Sequence, residues 1–241
     1  MSERVVYIGR DLEAMSFAEN YHRWILQVFE PYLGVRLVEV GAGTGAFSKL
    51  ILERGAESLA LVEPSEEMHR VLSERLSQWW GPTRVKIYNS VFAEVAGQIK
   101  EMQRPDSIIY VNVMEHIPDD GAELGTVQQT LCEGGRVFIF VPALRWLFGS
   151  FDQQLGHQRR YTRSELEEKC RRAGFRVIKS GYFDFIGIVP WWVTYCLLRS
   201  EKLGAGAVRF YDRCVVPAAR VIETAVPPPV GKNIFLIAER V

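Results

Sequence analysis

The sequence predicts an α/β fold in which a mostly parallel sheet carries helices on both faces. Three observations predict it. Apolar runs of strand length alternate with segments of helical spacing, as short right-handed βαβ connections require. The first strong apolar run leads straight into a glycine-rich turn and then a helix, V-E-V-G-A-G-T-G-A-F-S at 38–48. The 241 residues, 48% hydrophobic and 24% charged, suffice for one sizeable core but are short for two full domains.

Taken in order, the chain first offers F-A-E-N-Y-H-R-W-I-L-Q-V-F, which places Tyr21, Trp24, Ile25, Val28 and Phe29 at helical spacing. Strands are expected at Arg36 to Val40, Leu59 to Val62, Arg84 to Tyr88, Ser107 to Val111 and Arg136 to Val141. Crossover helices are expected at Phe47 to Arg54, Glu66 to Trp79 and Gly121 to Cys132, with Gly134 and Gly135 as a helix stop and tight turn. T-R-S-E-L-E-E opens a further helix, Ser164 to Ala173, which stops at Gly174. R-V-I-K-S-G-Y-F and N-I-F-L-I-A-E-R read as two late strands. P-P-P at 227–229 is a short rigid connector.

Charge and cysteine usage narrow the function classes. Lys plus Arg equals Asp plus Glu at 29 each, so nothing in the balance points to nucleic acid. Cys132, Cys170, Cys196 and Cys214 form no C-x-x-C pair, so neither a zinc site nor a disulfide framework is expected, and a reducing cytoplasm is the simple expectation. The first twenty residues lack the apolar core of a signal peptide.

Gly41, Gly43 and Gly45 let the backbone take positive φ and lie directly against a ligand, while the following helix turns its unpaired N–H groups to the same point. Glu39 is costly to desolvate unless it meets a cationic or hydrogen-bonding partner. A pyrophosphate would repel it and an amino group would match it. Gly41, Gly43 and Ala46 also satisfy G-x-G-x-x-G/A, with Glu63 twenty residues after Gly43, so an NAD(P)-dependent oxidoreductase is the enzymatic alternative.

E-x-G-x-G-x-G resembles the first motif of the class I S-adenosylmethionine (SAM) methyltransferases. S-I-I-Y-V-N-V-M-E-H-I and L-C-E-G-G-R-V-F-I-F-V-P-A are similar to that family's fourth-strand motif and fifth-strand turn. The resemblance covers about residues 20 to 185 and implies SAM as cofactor in a Rossmann-like, seven-stranded sheet closed by an antiparallel C-terminal hairpin. The chain reads as a single domain: an N-terminal helical cap at 1–33, a cofactor-binding core at 34–183, a hydrophobic helical insertion or acceptor lid at 184–230 and a last strand at 231–241. The resemblance further implies that Glu39 and the loop Gly41, Ala42, Gly43 and Gly45 wrap the methionine end, and that Glu63, before Pro64, takes both ribose hydroxyls. Ser90 and Val91 would flank the adenine, with Ser90 where many relatives have aspartate. Asn112 and Val113 would touch the methionine portion, and Tyr21 would cover it, since a sulfonium gains from an aromatic face.

F-G-S-F-D-Q-Q-L-G-H-Q-R-R-Y-T-R at 148–163 follows the fifth strand, where ligands bind in open α/β sheets. F-D-x-x-x-G-H-x-R-R-Y resembles a bacterial subgroup of these enzymes with mostly undefined acceptors. Two readings stand. In one, His157 removes the acceptor proton while an arginine holds an anionic group, His116 is a second candidate base, and Arg160 and Tyr161 count with them as catalytic candidates. In the other, an arginine pairs with Asp152 to hold the loop. No metal is expected, because Asp119 and Asp120 read as turn residues.

I-G-I-V-P-W-W-V-T-Y-C-L-L-R, broken by Pro190, is too short to span a membrane, which takes about 20 apolar residues. It reads as a buried or dimer-forming helix, or as a lid and peripheral membrane contact, with Trp191 and Trp192 against hydrocarbon and Arg199 and Lys202 at the wet end. A small-molecule or lipid-linked acceptor, methylated at oxygen, is the leading expectation. A non-catalytic SAM-binding protein is the third.

Overall fold

The computed structural model describes residues 18–77, 81–200 and 204–241. Five parallel strands form first: β1 (Arg36–Val40), β2 (Ser58–Val62), β3 (Arg84–Tyr88), β4 (Ser107–Val111) and β5 (Arg136–Pro142). β6 (Phe175–Phe183) and β7 (Asn233–Arg240) complete a seven-stranded sheet of order β3-β2-β1-β4-β5-β7-β6. β7 pairs antiparallel with both β5 and β6, so it alone runs against the rest. This is the expected Rossmann-like sheet with its closing hairpin. β1 sits between β2 and β4, where the chain reverses its direction of travel across the sheet, and that switch leaves a crevice at the strands' carboxyl ends.

Period-two alternation sorts the strand residues between two cores. Val38, Val40, Ile108 and Tyr110 face α4 (Phe92–Gln103), α5 (Asp120–Thr130) and α7 (Arg163–Arg172). Leu37, Ile109, Phe138 and Phe140 face α1 (Glu19–Phe29), α2 (Ala46–Arg54) and α10 (Val216–Ala225). Glu39 shares the register of Leu37, which turns its carboxylate toward α2.

α3 (Glu66–Leu76) is capped by the Ser65 hydroxyl on the Met68 N–H, 3.4 Å away. Of its expected extension to Trp79, residues 78 and 79 lie outside the described residues. α4 was not among the expected helices, although Phe92, Ala96 and Ile99 are buried at its i, i+4 and i+7 positions. α6 (Ser150–Gln154) lies within the 148–163 segment. The apolar insertion folds as α8 (Ile188–Trp191), which widens into a π-helix at Trp192–Leu197. α9 (Ala205–Phe210) runs through a second π-helical stretch, Tyr211–Val215, into α10. No helix among the described residues is long and apolar enough to cross a membrane.

The insertion is tied to the N-terminal helix by charge. α1 has no side-chain cap of its own; instead Asp212 accepts the Asn20 N–H at 3.1 Å and the Tyr21 N–H at 2.9 Å. A carboxylate at a helix N-terminus satisfies free donors and opposes the helix dipole favourably.

Candidate active site

A cavity of about 510 Å³ opens at the carboxyl ends of β1, β2 and β4. Its first wall is the glycine loop, with φ of 72° at Gly41, 53° at Gly43 and 80° at Gly45. At Gly41 a Cβ would lie 2.4 Å from Val113 Cγ2, so only glycine fits between the loop and the turn after β4. The Gly41 and Ala42 N–H groups donate to the Val62 carbonyl, stitching the loop to the end of β2. Gly45 lies behind the wall and caps α2, whose Ala46 and Phe47 reach the cavity.

Two acids face this loop. Glu63 accepts the Gly43 N–H at 2.8 Å on one oxygen and the Ser65 N–H at 2.9 Å on the other, and burial raises its carboxyl. Glu39 accepts the Ser48 hydroxyl at 2.5 Å. Burial, reinforced by nearby Glu63, pushes the Glu39 carboxyl up to about 8. It is therefore largely protonated at neutral pH, and a bound ammonium would restore its charge.

Val62, Pro64, Val91 and Phe92 continue the wall on one side, with Asn112, in the left-handed region at φ 54°, and Val113 behind. Ser90 lies outside the wall: its hydroxyl donates to Glu94 at 2.6 Å, and Asn89 instead bonds to the Glu63 carbonyl at 3.0 Å. Tyr21 covers the cavity from α1, held by its hydroxyl on Asn233 at 3.0 Å and edge-on contacts with Phe140 and Phe183. His22 and Lys232, which the sequence reading did not single out, also line it. Burial pushes His22 down to about 4. The Lys232 ammonium pairs with Asp184 at 2.9 Å and lies 5.3 Å from the Tyr21 ring and 5.2 Å from the Trp191 ring.

The opposite end is polar. His157 reaches it from the 148–163 segment and His116 from the turn after β4, their rings 4.7 Å apart and edge-on. His157 Nδ1 bonds to Asp152 Oδ1 at 2.8 Å, and Nε2 lies 3.9 Å from Glu115 Oε1. Burial pushes Glu115 up to about 7 and His116 down to about 4.

Two expected catalytic residues have other work. Arg160 is buried and fully engaged: Nε and Nη2 each donate to Asp152 at 2.9 Å, and Nη1 donates to the Ala143 carbonyl at 3.0 Å. It borders the cavity, but its donors hold the loop, as the second reading of this segment expected. Tyr161 does not reach the cavity at all: it is wholly buried, its one hydroxyl proton shared between the Met114 carbonyl and the Asp120 carboxylate, 3.0 and 2.8 Å from the phenol oxygen. Tyr161 thus lies away from the cavity, whereas Arg160 borders it with all three nitrogens bonded to Asp152 or Ala143. Asp119 caps α5 through the Ala122 N–H at 2.9 Å, and Asp120 is paired with Arg159 and Lys169.

Phe151, Leu155 and Trp191 supply an apolar flank beside the polar end. The Trp191 indole N–H donates to the Leu147 carbonyl at 3.3 Å. Trp192 points elsewhere and is 41% exposed. Arg199 is exposed, and Lys202 lies outside the described residues.

A Rossmann-like sheet with a glycine loop, two acids at adjacent strand ends and a cavity over the switch point defines a nucleotide-cofactor enzyme. Residues 10–180 match the family described as a methyltransferase domain, and the chain belongs to that family, in its class I SAM-dependent form. The ubiquinone biosynthesis O-methyltransferase of Leptothrix cholodnii is 28% identical over 116 residues, 48% of this chain and 48% of that protein. The chain thus aligns with about half the length of the curated relative it matches. Of solved structures, a SAM-dependent methyltransferase from Archaeoglobus fulgidus superposes with a TM-score of 0.58 at 18% identity, over 92% of this chain and 94% of that one. Magnesium protoporphyrin IX methyltransferase from Synechocystis PCC 6803 with bound SAM gives 0.56 at 12% identity, over 100% and 87%. At such identities the superpositions speak to fold.

Proposed function

We propose that this methyltransferase moves the SAM methyl group to an oxygen of a small or lipid-like acceptor that lies between the histidine pair and Trp191. The observation that carries the reading is the shared cavity: acids and glycines under β1 and β2, His116 and His157 in another part of its wall, and an apolar flank beside the histidines. Glu39 takes the amino group of the cofactor, Glu63 the ribose hydroxyls, Pro64 and Val91 the adenine side, and Asn112, Val113 and Tyr21 the methionine portion. Methyl transfer asks for an acceptor oxygen in line with the methyl–sulfur bond, stripped of its proton and shielded from water. His157 is the group at the polar end placed to take that proton. His116, held neutral at pH 7, is the second.

An apolar acceptor with a hydroxyl agrees with the relative named for O-methylation in ubiquinone biosynthesis. It also agrees with the insertion, where Val189, Trp192, Leu197 and Leu198 present exposed apolar surface for a peripheral membrane contact. The test is transfer of radiolabelled methyl from SAM into extract of the source cells, with Glu63→Ala as control. Label in the organic phase supports the reading. Label confined to the aqueous phase moves the acceptor to sugars or small acids, and no label, with S-adenosylhomocysteine (SAH) still bound, sinks transferase turnover.

A further inference from the structure

We propose that Glu115, His116 and His157 bind a divalent first-row transition metal at the acceptor end of the cavity, leaving coordination positions open to the acceptor oxygen. This rests on reading that end as the acceptor site, and it replaces the expectation that the protein uses no metal. The starting observation is an orphan. Glu115 is fully buried, yet neither carboxylate oxygen has a hydrogen-bond partner. A buried carboxylate without partners is among the costliest groups a fold can carry, and proteins meet the cost with a paired charge or a metal.

The neighbours are of the right kind. One ligand atom each from Glu115, His116 and His157 lies within 4.8 Å of the others, and the Glu115 to His157 separation is 3.9 Å. Two ligands each about 2.0–2.2 Å from one ion stand at most about 4.3 Å apart, so small side-chain rotations close the set. His157 is also supported as a ligand would be. Its Nδ1 is bonded to Asp152, which leaves Nε2 as the nitrogen facing Glu115, and a carboxylate behind a ligating imidazole fixes its tautomer and ring orientation. Asp152 is in turn gripped by Arg160 and by the Gly149 N–H at 3.0 Å. The backbone locks the two halves together, since the Gln158 N–H donates to the Glu115 carbonyl at 2.9 Å.

Two imidazoles and one carboxylate favour Mn²⁺, Fe²⁺, Co²⁺ or Zn²⁺ over an all-oxygen ion such as Ca²⁺. Both histidines line the cavity, so an ion there meets the acceptor directly. It would supply Lewis acidity to the acceptor hydroxyl. The O–H bond breaks and its proton leaves to water. The oxygen lone pair forms the O–CH₃ bond, and the S–CH₃ pair returns to sulfur to give the neutral thioether. His157 is then a ligand through Nε2 and not a free base.

The whole protein, stripped with EDTA and returned to chelator-free buffer, would be titrated with Co²⁺ by visible absorption and with Mn²⁺ and Zn²⁺ by calorimetry. Saturable binding of one ion per chain is expected, together with cobalt d–d bands. Glu115→Gln should abolish those bands, and Asp152→Asn should weaken binding roughly 10–100-fold. SAH titration of each variant checks that the fold persists. Absence of saturable binding, or equal binding by Glu115→Gln that still binds SAH, overturns the site. Full methyl transfer in EDTA would overturn the metal and leave the acceptor reading standing. Ion binding without any methyl transfer would do the reverse.

Discussion

The two ends of the cavity are built differently. The cofactor end is assembled by three neighbouring strand termini, and its geometry lies largely in the backbone: three left-handed glycines, amides on the Val62 carbonyl, and Glu63 bridging the Gly43 and Ser65 N–H groups. The end proposed for the acceptor is assembled by side chains brought from far apart, Glu115 and His116 from one turn, His157 and Arg160 from another, Trp191 from the insertion and Lys232 from the residue before β7. The difference teaches that one end depends on strand register and the other on buried charge pairs. Stability and cofactor binding should therefore respond to different mutations.

Arg160→Met gives the largest expected effect. It leaves the buried Asp152 with only the His157 ring and the Gly149 N–H, a loss of up to about 3–5 kcal/mol, or a fall in Tm on the order of 10 °C. Calorimetric SAH titration below the new Tm should still give affinity close to that of the parent protein. A parallel loss of SAH binding would break the comparison, because the two ends would then be one cooperative unit.

Glu63→Ala acts at the other end. Losing the Gly43 contact and, in the proposed binding mode, the acceptor for the ribose hydroxyls should cost about 2–4 kcal/mol of binding, roughly 30- to 1,000-fold in SAH affinity. Its Tm without ligand should move much less than that of Arg160→Met. If thermal unfolding shows the opposite order, the cofactor end also carries the fold.

That contrast governs what could be read from the chain beforehand. Strand positions and E-x-G-x-G-x-G were legible because both are short-range: period-two burial, turn chemistry and a carboxylate out of place in an apolar strand. α4 was legible too, through Phe92, Ala96 and Ile99, but its polar surface hid the stripe. The other end was legible only in part, through His116 and His157, which both line the cavity. Arg160 and Tyr161 look like catalytic groups in a list of residues, and only the fold shows that their polar atoms are already engaged. Glu115 drew attention only as a neighbour of His116, because an unpartnered carboxylate is a property of three-dimensional surroundings. Lys232 follows a glycine and precedes a strand, with nothing local to mark it.

Glu39 gives a smaller, pH-dependent effect that sharpens the picture of the cofactor end. Its carboxyl is raised from 4.5 to about 8 in the fold, so the stability it contributes is fully present below about 4.5 and is lost as pH rises through about 8. Glu39→Gln cannot ionise. Chemical denaturation should find it more stable than the parent at pH 8.5 and equal to it near pH 4, while SAH binding weakens at every pH. An unchanged pH profile would mean that Glu39 is already ionised before ligand arrives.

The smallest effects separate two adjacent tryptophans. Trp191 forms part of the cavity flank, against Phe151 and 5.0 Å from the Arg160 guanidinium, whereas Trp192 faces out. Trp191→Ala should raise the acceptor KM and leave SAH affinity alone, because it lies at the acceptor end only. Trp192→Ser should change stability by no more than about 0.5 kcal/mol, as exposed substitutions do, and leave turnover of a water-soluble acceptor untouched. Its signature should appear in cosedimentation with anionic lipid vesicles, where an interfacial tryptophan contributes to binding. Equal vesicle binding by Trp192→Ser and the parent would remove the membrane role from this face, and the exposed apolar side chains around it would then call for a protein partner.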